Sequence, residues 1–241
     1  MNIEDQISVC AAGESAWHAA AYAGLGAEWR EEPGWAWGPG GPPHRFLLTA
    51  VTLEADQRPP PSFSESGLGI LRDSWAVCTV NDLPGWTSSP TDPWMVRDPG
   101  TCEHSGVDGV EVRQTSDELL FERAAFVAAG GSPPAVPGEL HPRGSSRFPG
   151  LHLFLAWRDE VPIGTAIAVR HETGVVVSGV AVIKEERRKG IGALLTTCAV
   201  RVDHTVPATL TATELGIGTY RELGFRELIS PVHWSPPRSG T

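Results

Sequence analysis

The residues of this chain best placed to do chemistry lie between Val180 and Phe225. An apolar run, Gly179-Val180-Ala181-Val182-Ile183, ends in a charged turn, Lys184-Glu185-Glu186. Arg187-Arg188-Lys189-Gly190-Ile191-Gly192 follows and opens directly into Ala193-Leu194-Leu195. This order predicts a strand, a basic glycine-bearing loop and a helix start. Such a junction suits a diphosphate, because the first N–H groups of a helix lack intrahelical acceptors and the helix dipole favours negative charge there. Successive N–H groups in the turn form an anion-binding concavity. Gly190 and Gly192 let phosphates approach the backbone closely, and Arg187, Arg188 and Lys189 add positive charge. The spacing is not that of a P-loop, since no Gly-Lys-Ser/Thr closes it. Nor is it the dinucleotide fingerprint, whose second Gly-x-x-Gly half is missing. The plain alternative is a solvated basic turn capping a helix.

A second block lies downstream: Leu210-Thr211-Ala212-Thr213, then Gly216, then Tyr220-Arg221-Glu222-Leu223-Gly224-Phe225. Together the two blocks resemble the GNAT superfamily of N-acetyltransferases. The first matches its Arg/Gln-x-x-Gly-x-Gly/Ala acetyl-CoA loop, and the second its late strand, small polar residue, short helix and Tyr-x-x-Leu-Gly-Phe signature. The resemblance spans roughly residues 108 to 235, and the first hundred residues carry no comparable motif.

That resemblance implies acyl transfer from acetyl-CoA, or another acyl-CoA, to a primary amine of a small molecule or peptide by direct attack. Remote anchoring of the diphosphate by Arg187, Arg188, Lys189, Gly190, Ile191 and Gly192 would hold the acyl group in place. The oxyanion donor would be a backbone N–H near Val180, Ala181 or Val182, whose side chains read as ordinary core. Tyr220 would protonate the leaving thiolate; otherwise it is a packed helix-end aromatic. Thr213, seven residues before Tyr220, falls where the family carries a small polar residue near the cofactor arm. The general base is not evident, since Val175 to Ile183 contains no acid and no histidine. Glu214, His204, His171 and Glu172 are near in sequence. Asp82, a water chain or an already neutral amine would also serve. The loop from Ser132 to Gly150 is expected to border the acceptor. Trp35, Trp37, Trp86 and Trp94 are either an aromatic wall for it or core. Two alternatives stay open: an acyltransferase for longer acyl-CoA, and a non-catalytic CoA-binding regulatory module.

These groups need elements to position them. A helix is expected over Gly13 to Arg30, with strands over Phe46–Leu53, Ser74–Val80 and Trp94–Val96. Pro59-Pro60-Pro61 begins an irregular stretch, and Gly67 to Leu71 is ambiguous. Further on, Val110–Val112 reads as a strand, and Thr115-x-x-Glu118 has capping-box spacing before a helix to about Ala129. Strands are expected over Leu151–Trp157, Gly164–Arg170, Val175–Ile183 and Ala208–Ala212, with a helix after the loop presenting Ile191, Leu194, Leu195, Cys198 and Val202 on one face. A short helix over Thr219–Leu223 and a closing hairpin of Phe225–Ile229 with Pro231–Trp234 complete the reading. The fold class is therefore α/β: a GNAT-type mixed, mostly antiparallel central sheet flanked by helices, with a divergent N-terminal half. The expected division is 1–105 and 106–241. No internal repeat is evident, although by analogy residues 13 to 100 read as a degenerate first copy of a GNAT half.

Bulk properties bound the partners. A net charge of -10 over 241 residues argues against nucleic acid, which needs a basic surface. It would suit a cationic amine, or serve solubility alone. Cys10, Cys78, Cys102 and Cys198 form no Cys-x-x-Cys pair, so neither a metal site nor a disulfide framework is expected. None reads as an acyl-carrying nucleophile. The N-terminus lacks a signal-peptide pattern and the longest apolar run is too short for a bilayer. A cytoplasmic protein without membrane contact is expected, monomeric or homodimeric.

Overall fold

The computed structural model describes residues 1–57, 69–79 and 81–237. In chain order, α1 (Ile3–Gly24) precedes β1 (Arg30–Glu32), β2 (Trp35–Trp37), β3 (Ala50–Thr52), β4 (Leu71–Asp73), β5 (Thr87–Pro90) and β6 (Trp94–Arg97). The second half runs β7 (Glu111–Thr115), α2 (Glu118–Ala128), β8 (Leu151–Arg158), β9 (Val161–His171), β10 (Gly174–Val182), α3 (Ile191–Val200), β11 (Ala208–Thr211), α4 (Ile217–Glu222), β12 (Arg226–Glu227) and β13 (Val232–Ser235).

Period-two alternation builds the larger sheet. In β8, Leu151, Leu153 and Leu155 pack on one face, while Phe154 and Ala156 pack on the other. Likewise Val176 of β10 points to the first layer, and Val175 and Val177 to the second. A sheet apolar on both faces must be covered twice. Ala20 of α1 and Phe121 and Ala124 of α2 cover one side; Ile191, Leu195 and Ala199 of α3 and Tyr220 of α4 cover the other. The fold is thus mixed α/β with mostly antiparallel sheets flanked by helices.

The two sheets are related in connectivity. Among the described residues the seven-stranded sheet runs β12-β6-β11-β10-β9-β8-β7, with β10 and β11 parallel and the other neighbours antiparallel. The six-stranded sheet runs β1-β2-β3-β4-β13-β5, with β3 and β4 parallel and the other neighbours antiparallel. In the larger, four antiparallel strands (β7 to β10) lead to the parallel β11, and in the smaller, three (β1 to β3) lead to the parallel β4; in each, a strand lent by the other half comes next. β6 enters the larger sheet between β11 and β12; β13 enters the smaller one between β4 and β5. Helix α1 touches both sheets, lying against β3 on one side and β9, β10 and β11 on the other.

Several elements differ from the sequence expectation. Helix α1 begins at Ile3 because Asn2 and Asp5 form a reciprocal capping box, with Asp5 N–H donating to Asn2 Oδ1 at 2.8 Å. Gly13 therefore lies inside the helix. A Cβ there would stand 2.9 Å from Thr209 Oγ1 and 3.0 Å from Val176 Cβ, so glycine lets the helix settle closely on β10 and β11. Helix α2 is capped by Asp117, whose carboxylate accepts from Leu120 N–H at 3.0 Å, and not by Thr115. The strand expected over Phe46–Leu53 shortens to β3, and the next lies at Leu71–Asp73, before Ser74. The closing hairpin does not form, because β12 pairs with β6 while β13 crosses to the other sheet. The triproline, the start of the Gly67–Leu71 stretch and Val80 lie outside the described residues. Among the described residues no helix is long and apolar enough to cross a membrane, and no group of His, Cys, Asp or Glu is placed to hold a metal ion.

Candidate active site

The basic loop forms an open anion cradle. Gly190 is the N-cap of α3 at φ +83°, and no side chain caps the helix. The N–H groups of Ile191, Gly192 and Ala193 therefore have neither an intrahelical nor a side-chain acceptor. Ile191 is buried and anchors the turn, whereas Arg187 to Gly190 are exposed. Where a Cβ on Gly192 would stand there is open space. Arg188 adopts φ +63°, directing the chain sharply through the loop.

The three loop cations are not equivalent. Arg187 donates from Nε to Val182 O at 2.9 Å and from Nη2 to Ala128 O at 3.1 Å. It ties the loop to the end of β10 and the C-terminus of α2, so its part is to hold the cradle. Lys189 Nζ lies 3.2 Å from Glu186. Arg188 makes no ion pair among the described residues and faces solvent. No motif marks His104, whose Nε2 lies 3.6 Å from where a Cβ on Gly190 would stand. Its Nδ1 accepts from Gly106 N–H at 3.0 Å, which places the proton of the neutral ring on Nε2, toward the loop.

Strand β10 supplies the second part. Its parallel ladder with β11 ends at the pair Val177–Leu210. On the other edge the register with β9 passes from Ser178–Ile167 to Ala181–Thr165. Two residues, Gly179 and Val180, thus oppose Ala166 alone, which is a β-bulge. A bulge disrupts the ladder locally and leaves a residue unpaired. Gly179 takes φ +58°, and its carbonyl accepts from Thr165 Oγ1 at 2.9 Å. Val180, Ala181 and Val182 are half-buried along the end of the strand that has left β11.

Tyr220 is the third part. It projects from α4 against Phe225, ring centroids 6.0 Å apart at 63°. Gly216 allows this placement, since a Cβ there would stand 2.7 Å from Tyr220 Cε2. Burial pushes the phenol up to about 12, so it stays protonated across the physiological range. Thr213 is exposed, and its carbonyl accepts from the N–H groups of Gly216 and Ile217 at 2.8 and 3.2 Å.

The strand and Tyr220 open on one cavity of about 390 Å³ between the two sheets, lined by Ser178, Gly179, Val180, Thr213 and Tyr220 on one side. The opposite wall belongs to the N-terminal half and β13. There Glu14 of α1 lies 2.6 Å from Arg72 Nη1 of β4, both largely buried. Arg72 Nε donates to His233 Nε2 at 2.9 Å. His18 Nδ1 contacts Glu14 O at 2.8 Å, and its Nε2 accepts from Leu48 N–H at 3.0 Å, which fixes the Nδ1–H tautomer. Burial lowers both histidines, His233 to about 4, so they remain neutral. No sequence motif links these four residues; the one local sign is Glu14 and His18 at helical spacing beside Gly13.

The carboxylate and histidine candidates near the strand do not line this cavity. Glu172, His204 and Glu214 are exposed, and Asp82 accepts from Thr79 N–H and Oγ1 at 2.8 and 2.7 Å. His171 packs beside Gly13 and Gly174 and is lowered by burial to about 4. Of the two readings of the tryptophans, core is the one observed. Trp35, Trp37 and Trp86 pack in one core with Trp234, and Trp94 in another; Trp17 lines the cavity instead. Residues 132–150 do not line it either. His141 from that loop lies against Trp17, ring centroids 6.2 Å apart and tilted by 42°.

The family model described as acetyltransferase (GNAT) domain matches residues 149–227. No curated protein matches the chain. A GCN5-related N-acetyltransferase from Kribbella flavida has a similar structure, with TM-score 0.62 and 21% identity over 93% of this chain and 96% of that one. A functionally unknown conserved protein from Staphylococcus epidermidis aligns at TM-score 0.61 and 13% identity, over 88% and 95% of the two chains. A GCN5-related N-acetyltransferase-like protein from Streptococcus suis gives 0.52 and 10% identity, over 97% and 99%. Residues 149–227 thus match the GNAT acetyltransferase domain model, and most of the chain shares the fold of GNAT N-acetyltransferases.

Proposed function

We propose that this protein transfers an acyl group, most simply acetyl, from an acyl-CoA to a primary amine by direct attack. One observation carries the reading: the bulged end of β10 and the hydroxyl-bearing face of α4 meet at a single cavity, on the strand that leads into the uncapped N-terminus of α3. Bound acyl-CoA would supply an activated thioester. The residues present fit it, since free N–H groups at Ile191, Gly192 and Ala193 match a diphosphate and the β10–β11 split leaves an extended edge for its arm.

Each part then has a task. The loop amides and Arg188 bind the anionic end, and His104 Nε2–H adds a donor beside Gly190. Arg187 keeps the loop in place. The backbone N–H groups around the bulge at Gly179 and Val180 face the charge that develops on the carbonyl oxygen, where preorganised donors lower the barrier most. Tyr220 holds a proton at Oη for the departing sulfur. Thr213 borders the arm. We read 1–105 and 106–241 as two units of related connectivity, the second carrying the CoA site.

The testing experiment is release of free thiol from acetyl-CoA in the presence of a panel of primary amines. Amine-dependent release supports catalysis. Tight CoA binding with no release for any amine or acyl length would leave a CoA-binding regulatory module instead.

A further inference from the structure

The wall that faces the bulged strand is charged, buried and not part of the family's motifs. Glu14 and Arg72 are 9% and 8% exposed, and Glu14 Oε2 meets Arg72 Nη1 at 2.6 Å. That contact is ionic only, because Nη1 makes no in-line hydrogen bond with any acceptor. Glu14 is therefore the counter-ion of a buried guanidinium in the cavity lining, and such a charge is costly to leave alone. Arg45, exposed and stacked over Phe46 at 4.9 Å, adds a second cation to the cavity lining.

Charge decides what this wall accepts. A bare ammonium would set three positive charges against one carboxylate in a cavity with apolar walls of Trp17, Leu47, Leu48 and Ile70. An amine that carries its own carboxylate adds no net charge. The chemistry sharpens the point. An ammonium must lose a proton before it can attack, and Glu14 is the carboxylate in reach of the cavity. Once Glu14 is protonated, Arg72 is left without a counter-ion in a buried place. A carboxylate on the acceptor supplies one. The volume of about 390 Å³ must also house the acyl end, so the acceptor is of amino-acid size.

We propose that the acceptor is a compact amine bearing a carboxylate, its ammonium on Glu14 and its carboxylate on Arg72. This rests on the acyl-transfer reading above. The step balances as follows. Glu14 takes one ammonium proton, and the nitrogen lone pair forms the C–N bond as the C–S bond breaks. The sulfur leaves as thiol with the Tyr220 proton, Tyr220 recovers the second nitrogen proton, and Glu14 returns its proton to water.

The test uses the full chain, acetyl-CoA and matched acceptor pairs: glycine with methylamine, β-alanine with ethylamine, 4-aminobutyrate with propylamine, L-leucine with 3-methylbutylamine, and L-phenylalanine with 2-phenylethylamine. For at least one pair the carboxylated member should exceed its partner by roughly tenfold or more in kcat/KM, as expected when a built polar partner is met or missed. The same member should raise the Tm of the CoA-saturated protein where its partner does not. The double variant Glu14→Gln, Arg72→Met removes both charges together and so avoids an orphaned ion; it should erase that Tm difference. If acetyl-CoA raises Tm and bare amines react as well as or better than the carboxylated members in every pair, the proposal falls and acyl transfer stands. Carboxylated members that never react overturn it too. If acetyl-CoA gives neither a Tm shift nor thiol release, the acyl-transfer reading itself fails, and this proposal with it.

Discussion

Tyr220 and Gly192 are the residues where single-atom changes separate chemistry from binding. Tyr220 is held protonated up to about pH 12 by burial, so it is a proton donor throughout the working range and imposes no alkaline limb on turnover below that pH. Tyr220→Phe should lower kcat by roughly 10- to 100-fold, the low end of general-acid effects, with CoA affinity unchanged in calorimetry. Unaltered kcat would remove the hydroxyl from the reaction. Gly192→Ala adds a methyl into open space. It should keep or slightly raise Tm, since alanine favours helix over glycine by up to about 1 kcal/mol, yet weaken CoA binding at least several-fold. A Cβ that leaves CoA affinity intact would show that the phosphates do not pass there. Both positions were expected from the sequence, because the loop and the Tyr-x-x-Leu-Gly-Phe block resemble the family's motifs. Glu14, Arg72 and His233 were not, since they come from distant segments and meet only through the packing of α1 and β13, nor was His104, which reaches Gly190 from a separate loop.

The element that most depends on buried polar bonds is α2. Its Glu122 accepts from the N–H groups of Gly138, Leu140 and His141 at 2.6, 2.6 and 3.0 Å. Glu118, one turn earlier, accepts from Gly144 N–H, Ser146 N–H and Ser146 Oγ at 3.0, 3.2 and 2.6 Å. Two carboxylates on one helical face thus order the Pro/Gly-rich loop that supports Trp17. Glu122→Ala leaves three donors without an acceptor and should cost about 2–4 kcal/mol in denaturant melts, by the penalty for orphaned buried groups. Burial pushes the Glu118 carboxyl up, but the bonds from Ser146 and Gly144 outweigh it and hold it below the usual range. Its contribution is therefore complete above the unfolded value of about 4.3 and is lost as pH falls through the depressed folded value. Glu118→Gln should flatten the loss of stability below about pH 4.3; an unchanged acid slope would contradict this. The sequence showed Glu118 only as part of a cap, because a carboxylate turned inward looks the same as one at a helix start. Strands β8 to β10 were legible because both their faces are apolar. The start of α1 was not, since Asn2 and Asp5 precede a stretch with no strong apolar period.

At the scale of the whole molecule, the exchanged strands decide how the halves behave. Among the described residues β13 stands between β4 and β5 and links them, and β6 does the same between β11 and β12. Neither sheet closes without residues from the other half. Unfolding should therefore be one cooperative transition, with calorimetric and van't Hoff enthalpies equal. Two resolved transitions would mean that the halves melt independently. The sequence pointed to a GNAT-like second half and a related first half, but not to this exchange. β6 and β13 are short apolar runs, and nothing in such runs specifies which of two similar sheet edges they will join. The candidate acceptor wall is the functional consequence, since His233 reaches Arg72 only because β13 crosses over.

The central claim is that main-chain donors at Gly190 to Ala193 grip the diphosphate of CoA. Backbone amide chemical shifts followed by NMR during titration with CoA test it most directly. The account predicts large, saturable shifts at Ile191, Gly192 and Ala193, with smaller ones at Val180 and Thr213. Saturating CoA that leaves those three amides unmoved, or moves a different surface instead, would contradict it.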